Sequence, residues 1–449
     1  MPQHNLTDHL QRLYRLHAFG IKFGLEAEVA LLEQLGNPER GLKKIIHVAG
    51  SNGKGSVCVM LDAILREAGY KTGLYTSPHL VRVNERIKVN GICISDKELS
   101  ALIELIDKYA ADYARRAGKR QITFFEFLTA LAFVYFCRQK VDVLVLETGM
   151  GGKLDATNVA TPQVSIITSI SMEHIKYLGP DLASIASEKG GIIKPGVPIV
   201  VGCLPDEALA VIEKLAREKK SRLIQAGQAV SVQRQKQTFE GQKIIIESAS
   251  NSYGTIRLPL LGSHQLANAA ITVAALEEWC RGNDIDLSPS AVKRGFSSVS
   301  WPGRVHVICR NPLTIIDGSH NPEAACVLNE SLKELAGGRP VCLILGLCAE
   351  KDVAAFVRNI TVPVSHCWAV ALANERSLPP EELARHVQNK GWPCSIAQVP
   401  QALKEAERAA LEDNAVLCAT GSFFLAGEIL ELKNVPGVSA GSGWMKGKH

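Results

Sequence analysis

The 449-residue sequence is short of several features, and each shortage narrows what it can be. No apolar stretch approaches the ~18 to 20 residues that a membrane helix requires; the longest, such as Leu128 to Cys137 and Val164 to Ile167, stop well before that. Nothing is therefore expected to span a bilayer. No run of five basic residues concentrates positive charge, and 50 Lys plus Arg against 45 Asp plus Glu leave a formal net charge of only +5. That is no footprint for a nucleic-acid partner. The twelve cysteines lie scattered between Cys58 and Cys418 without a CxxC pair or a Cys/His cluster. They read as buried thiols in a reducing compartment. The opening MPQHNLTDHLQRLYRL has helical spacing and no unbroken apolar region, so it is read as part of the fold and the protein as cytoplasmic.

What is present is an ordinary globular balance, 46% hydrophobic and 21% charged, in a chain long enough for two or three cores. Apolar, non-alternating runs at Lys43 to Ala49, Gly73 to Thr76, Val141 to Leu146, Val164 to Ile170 and Pro198 to Val201 are separated by helical segments such as Phe124 to Arg138. Such runs predict a mostly parallel sheet covered on both faces. From Ser231 to Leu260 the pattern becomes that of a small antiparallel appendage, and a helix is expected from His264 to Cys280. Ser297 to Arg304 carries Pro and Gly without periodicity and marks a domain boundary. Alternation of strands and helices then restarts as a second, smaller α/β domain. The expected units are residues 1–298, residues 304–433 and a flexible tail, 434–449.

The loop after the first strand reads Gly50-Ser51-Asn52-Gly53-Lys54-Gly55-Ser56. Backbone N–H groups at a helix N-terminus, with glycines keeping side chains out of the way, cradle phosphate, and a lysine there reaches terminal phosphate oxygens. The strict GxxxxGK[ST] pattern is not met, because Gly50 lies too close to Lys54 and Gly55 holds the hydroxyl position. Glu147 closes the apolar strand VDVLVLE, the position of a carboxylate that serves a metal beside phosphates. His174 follows the next strand and shares that edge if the two strands are neighbours.

The segments IHVAGSNGKGS (46–56), LYTSPHL (74–80), NERI (84–87), ETGMGGKLDATN (147–158), EKGGIIKPG (188–196), WPGR (301–304), IDGSHNP (316–322) and GSFFLAGE (421–428) run in order along the chain. Together they resemble the folylpolyglutamate synthase and dihydrofolate synthase family, within the ATP-dependent Mur ligase group. The resemblance implies that residues 1–298 bind ATP and residues 304–433 form the glutamate-ligase domain. It also implies that Asn52, Gly53, Lys54, Gly55 and Ser56 hold the ATP phosphates and that Asn268, Arg304 and Asp317 contact the nucleotide. Magnesium would be held by Ser77, Glu147 and His174, with Lys189 as a carbamate. The pterin end of the substrate would lie near Phe124, Phe125 and Glu126 and near Leu154, Asp155 and Ala156. Lys54, Lys189 and His320 would carry the chemistry.

The implied reaction activates a carboxylate by phosphoryl transfer from ATP, and the amine of L-glutamate then attacks the acyl phosphate. The substrates would be dihydropteroate, a reduced folate or both, and the protein would act as a monomer. Departures from the family pattern are Ser51 for Thr, Lys153 for Arg, Glu173 for Asp before His174, and Gly190 for Ala. The stretch GLCAEKD (346–352) is a weaker match, with Glu350 in the first acidic position. Two other readings compete: a Mur-type ligase for a different carboxylate, and a nucleotide-binding protein without catalysis.

Overall fold

The structure is a computed structural model and describes residues 6–16, 20, 24–115 and 120–436. Most of the tail expected to be flexible (434–449) thus lies outside the described residues, as do the first five positions of the N-terminal segment. No helix among the described residues is long and apolar enough to cross a membrane.

The first sheet holds eight strands: β1 (Ile45–Ala49), β2 (Thr72–Tyr75), β3 (Ile87–Val89), β4 (Ile92–Cys93), β5 (Val143–Glu147), β6 (Val164–Ile167), β7 (Ile199–Val201) and β8 (Leu223–Gln225). Their order is β4-β3-β2-β5-β1-β6-β7-β8, parallel throughout except at the β3–β4 edge. Every residue of β1 and β5 is buried, which is why these strands read as unbroken apolar runs and not as alternation. One face is covered by helices Lys54–Glu67, His264–Asn283 and Pro289–Ser298. The other carries Glu26–Gln34, Asp96–Arg115 and Phe124–Gln139, the last apolar on nearly every side because it is enclosed on nearly every side.

One sequence expectation needs correction. The strand that ends in Glu147 and the strand that precedes His174 are not neighbours, because β1 lies between β5 and β6 and pairs in parallel with both. The glycine loop at the end of β1 is thereby flanked by both residues, at the point where the chain order of the strands reverses.

An antiparallel three-stranded sheet follows: β9 (Val230–Thr238), β10 (Gly241–Ser248) and β11 (Ser252–Leu258). After the connection 299–305 comes a six-stranded sheet: β12 (His306–Arg310), β13 (Leu313–Ile316), β14 (Val341–Leu345), β15 (Val364–Ala369), β16 (Cys394–Ile396) and β17 (Val416–Thr420). Its order is β12-β13-β17-β14-β15-β16, parallel apart from the β12 edge. The short edge strands β3, β4, β8, β12 and β16 had no clear signal in the sequence, since half-buried strands of two to five residues show little periodicity. All twelve cysteines are free, five of them buried or half-buried in the second domain, while Cys203, Cys309 and Cys326 are exposed.

Candidate active site

The glycine loop is shaped by what packs on it. Gly53 has φ 88° and caps helix Lys54–Glu67; a Cβ there would lie 2.5 Å from Asn268 Oδ1. Gly55 is required by a close approach: its Cβ would fall 2.7 Å from the Trp301 ring. The departure from the strict phosphate-loop pattern thus has a steric cause in WPGR, which the sequence alone did not reveal. Asn268 is buried, so the solvent-facing amide usual in a helix does not apply; its Nδ2 donates to Gln265 Oε1 at 2.9 Å, and Gln265 donates to Ser56 Oγ at 3.3 Å. Lys54 Nζ folds back onto the carbonyls of Gly50 and Ser51 at 2.7 and 3.1 Å. Asn52 instead reaches the second domain, donating to Glu323 Oε2 at 2.5 Å and accepting from Asn321 at 3.1 Å.

Glu147 is buried at the end of β5, and its Oε2 accepts from the Ser77 backbone N–H at 2.9 Å. Burial pushes its carboxyl up to about 7, against the pull of Lys54, the Ser77 N–H, Arg304 and Arg86. Lys189 is not a solvated helix-end cation: it is 1% exposed, and Nζ pairs with Glu173 Oε1 at 2.8 Å. Burial lowers the Lys189 amine, opposed by Glu173. For Glu173 burial acts upward, but Lys189, Lys54 and His174 outweigh it and hold the carboxylate well below its usual range. Burial takes His174 down to about 4, leaving a neutral imidazole near pH 7. Lys189 is fixed by backbone contact between two sequence-distant motifs, since Lys153 N–H donates to Glu188 O at 2.7 Å and Asn158 Nδ2 to Gly191 O at 3.1 Å.

From the second domain, Asp317 Oδ2 accepts from Val305 N–H and Oδ1 from Ser319 N–H, both at 2.8 Å. Arg304 lies over the Phe423 ring at 4.0 Å. The His320 imidazole, at 2.9 Å from Gly318 O, is pushed by burial down to about 3, with Lys351 adding to the effect. Lys351 is the group that sequence reasoning passed over. It sits in the weakly matching GLCAEKD stretch, yet it acts electrostatically on both His174 and His320, and Glu173 acts on it in turn. Beside Arg304 a cavity of about 180 Å³ is lined by residues including Leu261, Trp301, Pro302 and His306. Trp301 Nε1 and His306 Nδ1 are buried without a partner among the described residues.

The residues expected near the pterin divide in two. Glu126 is taken up by the fold: it accepts from Thr123 N–H at 2.8 Å and Thr123 Oγ1 at 2.7 Å as a capping box, and it pairs with Arg120. Asp155 accepts from the N–H groups of Gly149, Met150 and Thr157 and so shapes its own loop. Phe124 stacks on Tyr14 beneath Arg86, and Ala156 is buried. Phe125, against Gly149, and Leu154 keep open surface.

Ser77, Glu147 and His174 offer a hydroxyl, a buried carboxyl and a neutral imidazole, a donor set that fits a hard divalent cation. Among the described residues no three His, Cys, Asp or Glu side chains converge on a metal position of their own, so such an ion would need the Ser77 hydroxyl and a further oxygen.

Residues 48–276 match the Mur ligase middle domain and residues 303–423 the Mur ligase glutamate ligase domain. The chain is 32% identical over 414 residues to the dihydrofolate synthase/folylpolyglutamate synthase of Bacillus subtilis, covering 92% of this chain and 95% of the relative. It is 33% identical over 433 residues to the Escherichia coli protein of the same description, covering 95% of each. Among solved structures it resembles Mycobacterium tuberculosis folylpolyglutamate synthase complexed with ADP and AMPPCP, with a TM-score of 0.89 at 30% identity over 95% of this chain and 99% of that one. An FPGS–AMPPCP–folate complex gives a TM-score of 0.83 at 30% identity over 96% of this chain and all of the other. With both Mur ligase domain models matched and relatives of 32 to 33% identity covered almost end to end, the chain belongs to the folylpolyglutamate synthase/dihydrofolate synthase family of Mur ligases and is an ATP-dependent ligase.

Proposed function

We propose that the protein adds L-glutamate to both dihydropteroate and a reduced folate through an acyl phosphate. The observation that carries this reading is the convergence of Lys54, Glu147, the Lys189–Glu173 pair and His174 at one sheet edge, with Arg304, His320 and Lys351 brought to it from the second domain. In this reading the phosphates rest on Asn52 to Ser56, and Lys54 leaves its two carbonyl partners for them. The base occupies the 180 Å³ cavity, where Trp301 Nε1 and His306 Nδ1 supply a donor and a further polar group and Arg304 lines the wall; Asn268 and Asp317 are proposed as further nucleotide contacts.

Ser77, Glu147 and His174 would hold magnesium, which when bound neutralises charge on the transferring phosphoryl group. Burial favours the neutral form of Lys189, and the neutral amine is the form that bonds to the carbon of carbon dioxide, releasing one N–H proton to solvent and leaving a carbamate, an anion able to complete a set of oxygen donors. The acceptor carboxylate attacks the terminal phosphorus of ATP, the acyl phosphate and ADP result, and the glutamate amine then displaces phosphate. Closure of the cleft keeps water from the acyl phosphate. Phe125 and Leu154, not Glu126 or Asp155, offer the pterin its surface. The protein is taken to act as a monomer, and light scattering at assay concentration tests that.

The deciding experiment supplies ATP, magnesium and L-glutamate with either dihydropteroate or tetrahydrofolate and weighs the products. Extension of both is expected. Extension of one reduces the proposal to a single activity, and extension of neither ends it.

A further inference from the structure

Helix Pro322–Ala336 is fastened to the first domain at both ends. At its N-terminus Asn321 and Glu323 bond to Asn52 of the glycine loop. Eleven residues on from Glu323, about 16 Å along the helix axis, Glu334 meets the antiparallel appendage. There Arg234 Nη1 and Nη2 donate to the two oxygens of Glu334 at 2.8 Å each, and Gln237 Nε2 donates to Oε2 at 2.8 Å. A two-pronged guanidinium–carboxylate contact fixes orientation as well as distance. Gln237 Oε1 also accepts from Gly262 N–H at 3.2 Å, two residues before the helix that carries Asn268. Arg310 and Glu240 add an ion pair across the same seam.

We propose that Arg234 and Gln237, acting through Glu334, are positioning residues: they set the angle of helix Pro322–Ala336 and so place the Asp317–Asn321 loop, with His320, against the glycine loop. The inference rests on the reading that ligation occurs in this cleft. A rigid helix held at one end by the phosphate loop and at the other by the appendage transmits a change at Glu334 to the loop that precedes its first turn. The appendage, remote from the site in sequence, thereby gains a part in the reaction.

The test uses the full chain with Arg234→Glu, Glu334→Arg and the two combined. Each single change should lower kcat/KM for glutamate roughly three- to thirtyfold, the range of couplings carried through packed elements, and the combined charge swap should restore it to within about threefold. Thermal melting of each variant separates this from unfolding, and Gln237→Ala supplies a milder break without charge repulsion. Hydrogen–deuterium exchange gives a readout that a local ion pair would not move: faster exchange at residues 317–324 in the single variants, reversed in the swap. Parent kinetics in the single variants, failure of the swap to restore, or faster exchange confined to the neighbourhood of Glu334 would each overturn the proposal. Should the parent chain fail to ligate glutamate, the functional reading falls, and the exchange pattern still decides whether Glu334 positions the loop.

Discussion

The C-terminal edges of the two large sheets use similar residues in opposite ways. On the second sheet the polar groups are engaged by backbone: Asp317 accepts from two N–H groups, Asn321 caps Ala324 at 2.8 Å and Ser422 accepts from Phe424 N–H at 3.1 Å. On the first sheet, among the described residues, Glu147 has one backbone donor, Lys189 pairs with Glu173 alone, and Lys54 rests on carbonyls of its own loop. The second edge is built to keep a shape; the first keeps charges that a ligand can recruit. A buried carboxyl raised to about 7 marks a group whose surroundings do not yet complete it.

The largest effects should come from the first edge. Lys54→Ala is expected to lower kcat about 10²- to 10³-fold or more, the range for removing one group that stabilises transition-state charge, while the circular dichroism spectrum and melting temperature stay those of the parent. A correctly folded variant with the parent rate would show that the glycine loop is purely structural. Lys189→Ala and Lys189→Arg should also lose ligation, the latter because guanidinium forms no carbamate under mild conditions and fixes a positive charge in a closed pocket. Added acetate should restore part of the activity of Lys189→Ala by filling the vacant oxygen position. Full activity of Lys189→Arg would remove the carbamate from the mechanism.

The second edge should fail by loss of shape. Asp317→Ala leaves the N–H groups of Val305 and Ser319 without their acceptor, which costs about 1 to 3 kcal/mol, so melting temperature and activity should fall together. An unchanged melting temperature would erase the contrast between the edges. Gly55→Ser, which restores a hydroxyl to the usual phosphate-loop position, should destabilise by about 1 to 3 kcal/mol through overpacking against Trp301. Gain of activity in that variant would mean that the Trp301 contact yields easily.

The same contrast explains what could be read before the fold was known. Glu147, Lys54 and Lys189 were legible because each stands in a short motif at the end of a buried strand or helix, where local pattern carries the signal. The reason for Gly55 was not, since Trp301 lies 246 positions away. Nor was Lys351, whose amine feels the charge of Glu173 from the first domain as well as that of its neighbour Glu350. Glu126 shows the reverse difficulty: a carboxylate three residues after a threonine reads equally as a helix cap or as a ligand contact, and the structure shows the cap. The β3–β4 and β12 edges escaped because strands this short gain their conformation from pairing and not from pattern.

The smallest effect asks whether an incomplete carboxyl needs a ligand to explain it. Glu28, on helix Glu26–Gln34, is fully buried, and neither oxygen has a partner among the described residues. Burial raises its carboxyl well above the usual range; Glu126, Asp155 and Glu39 push the same way, and Arg120 opposes them. Below the unfolded-state value both states hold the proton and Glu28 adds no pH dependence. As pH rises past that value the unfolded chain releases its proton while the folded chain keeps it, so stability falls until the folded value is reached and is flat beyond. Glu28→Met, close in volume and free of the acid, should therefore be more stable than the parent by about 1 to 3 kcal/mol at pH 8, with the advantage shrinking toward pH 5. Urea unfolding at the two pH values measures it. A difference independent of pH would mean that Glu28 finds a partner in solution, and the contrast would then belong to the first sheet's edge alone.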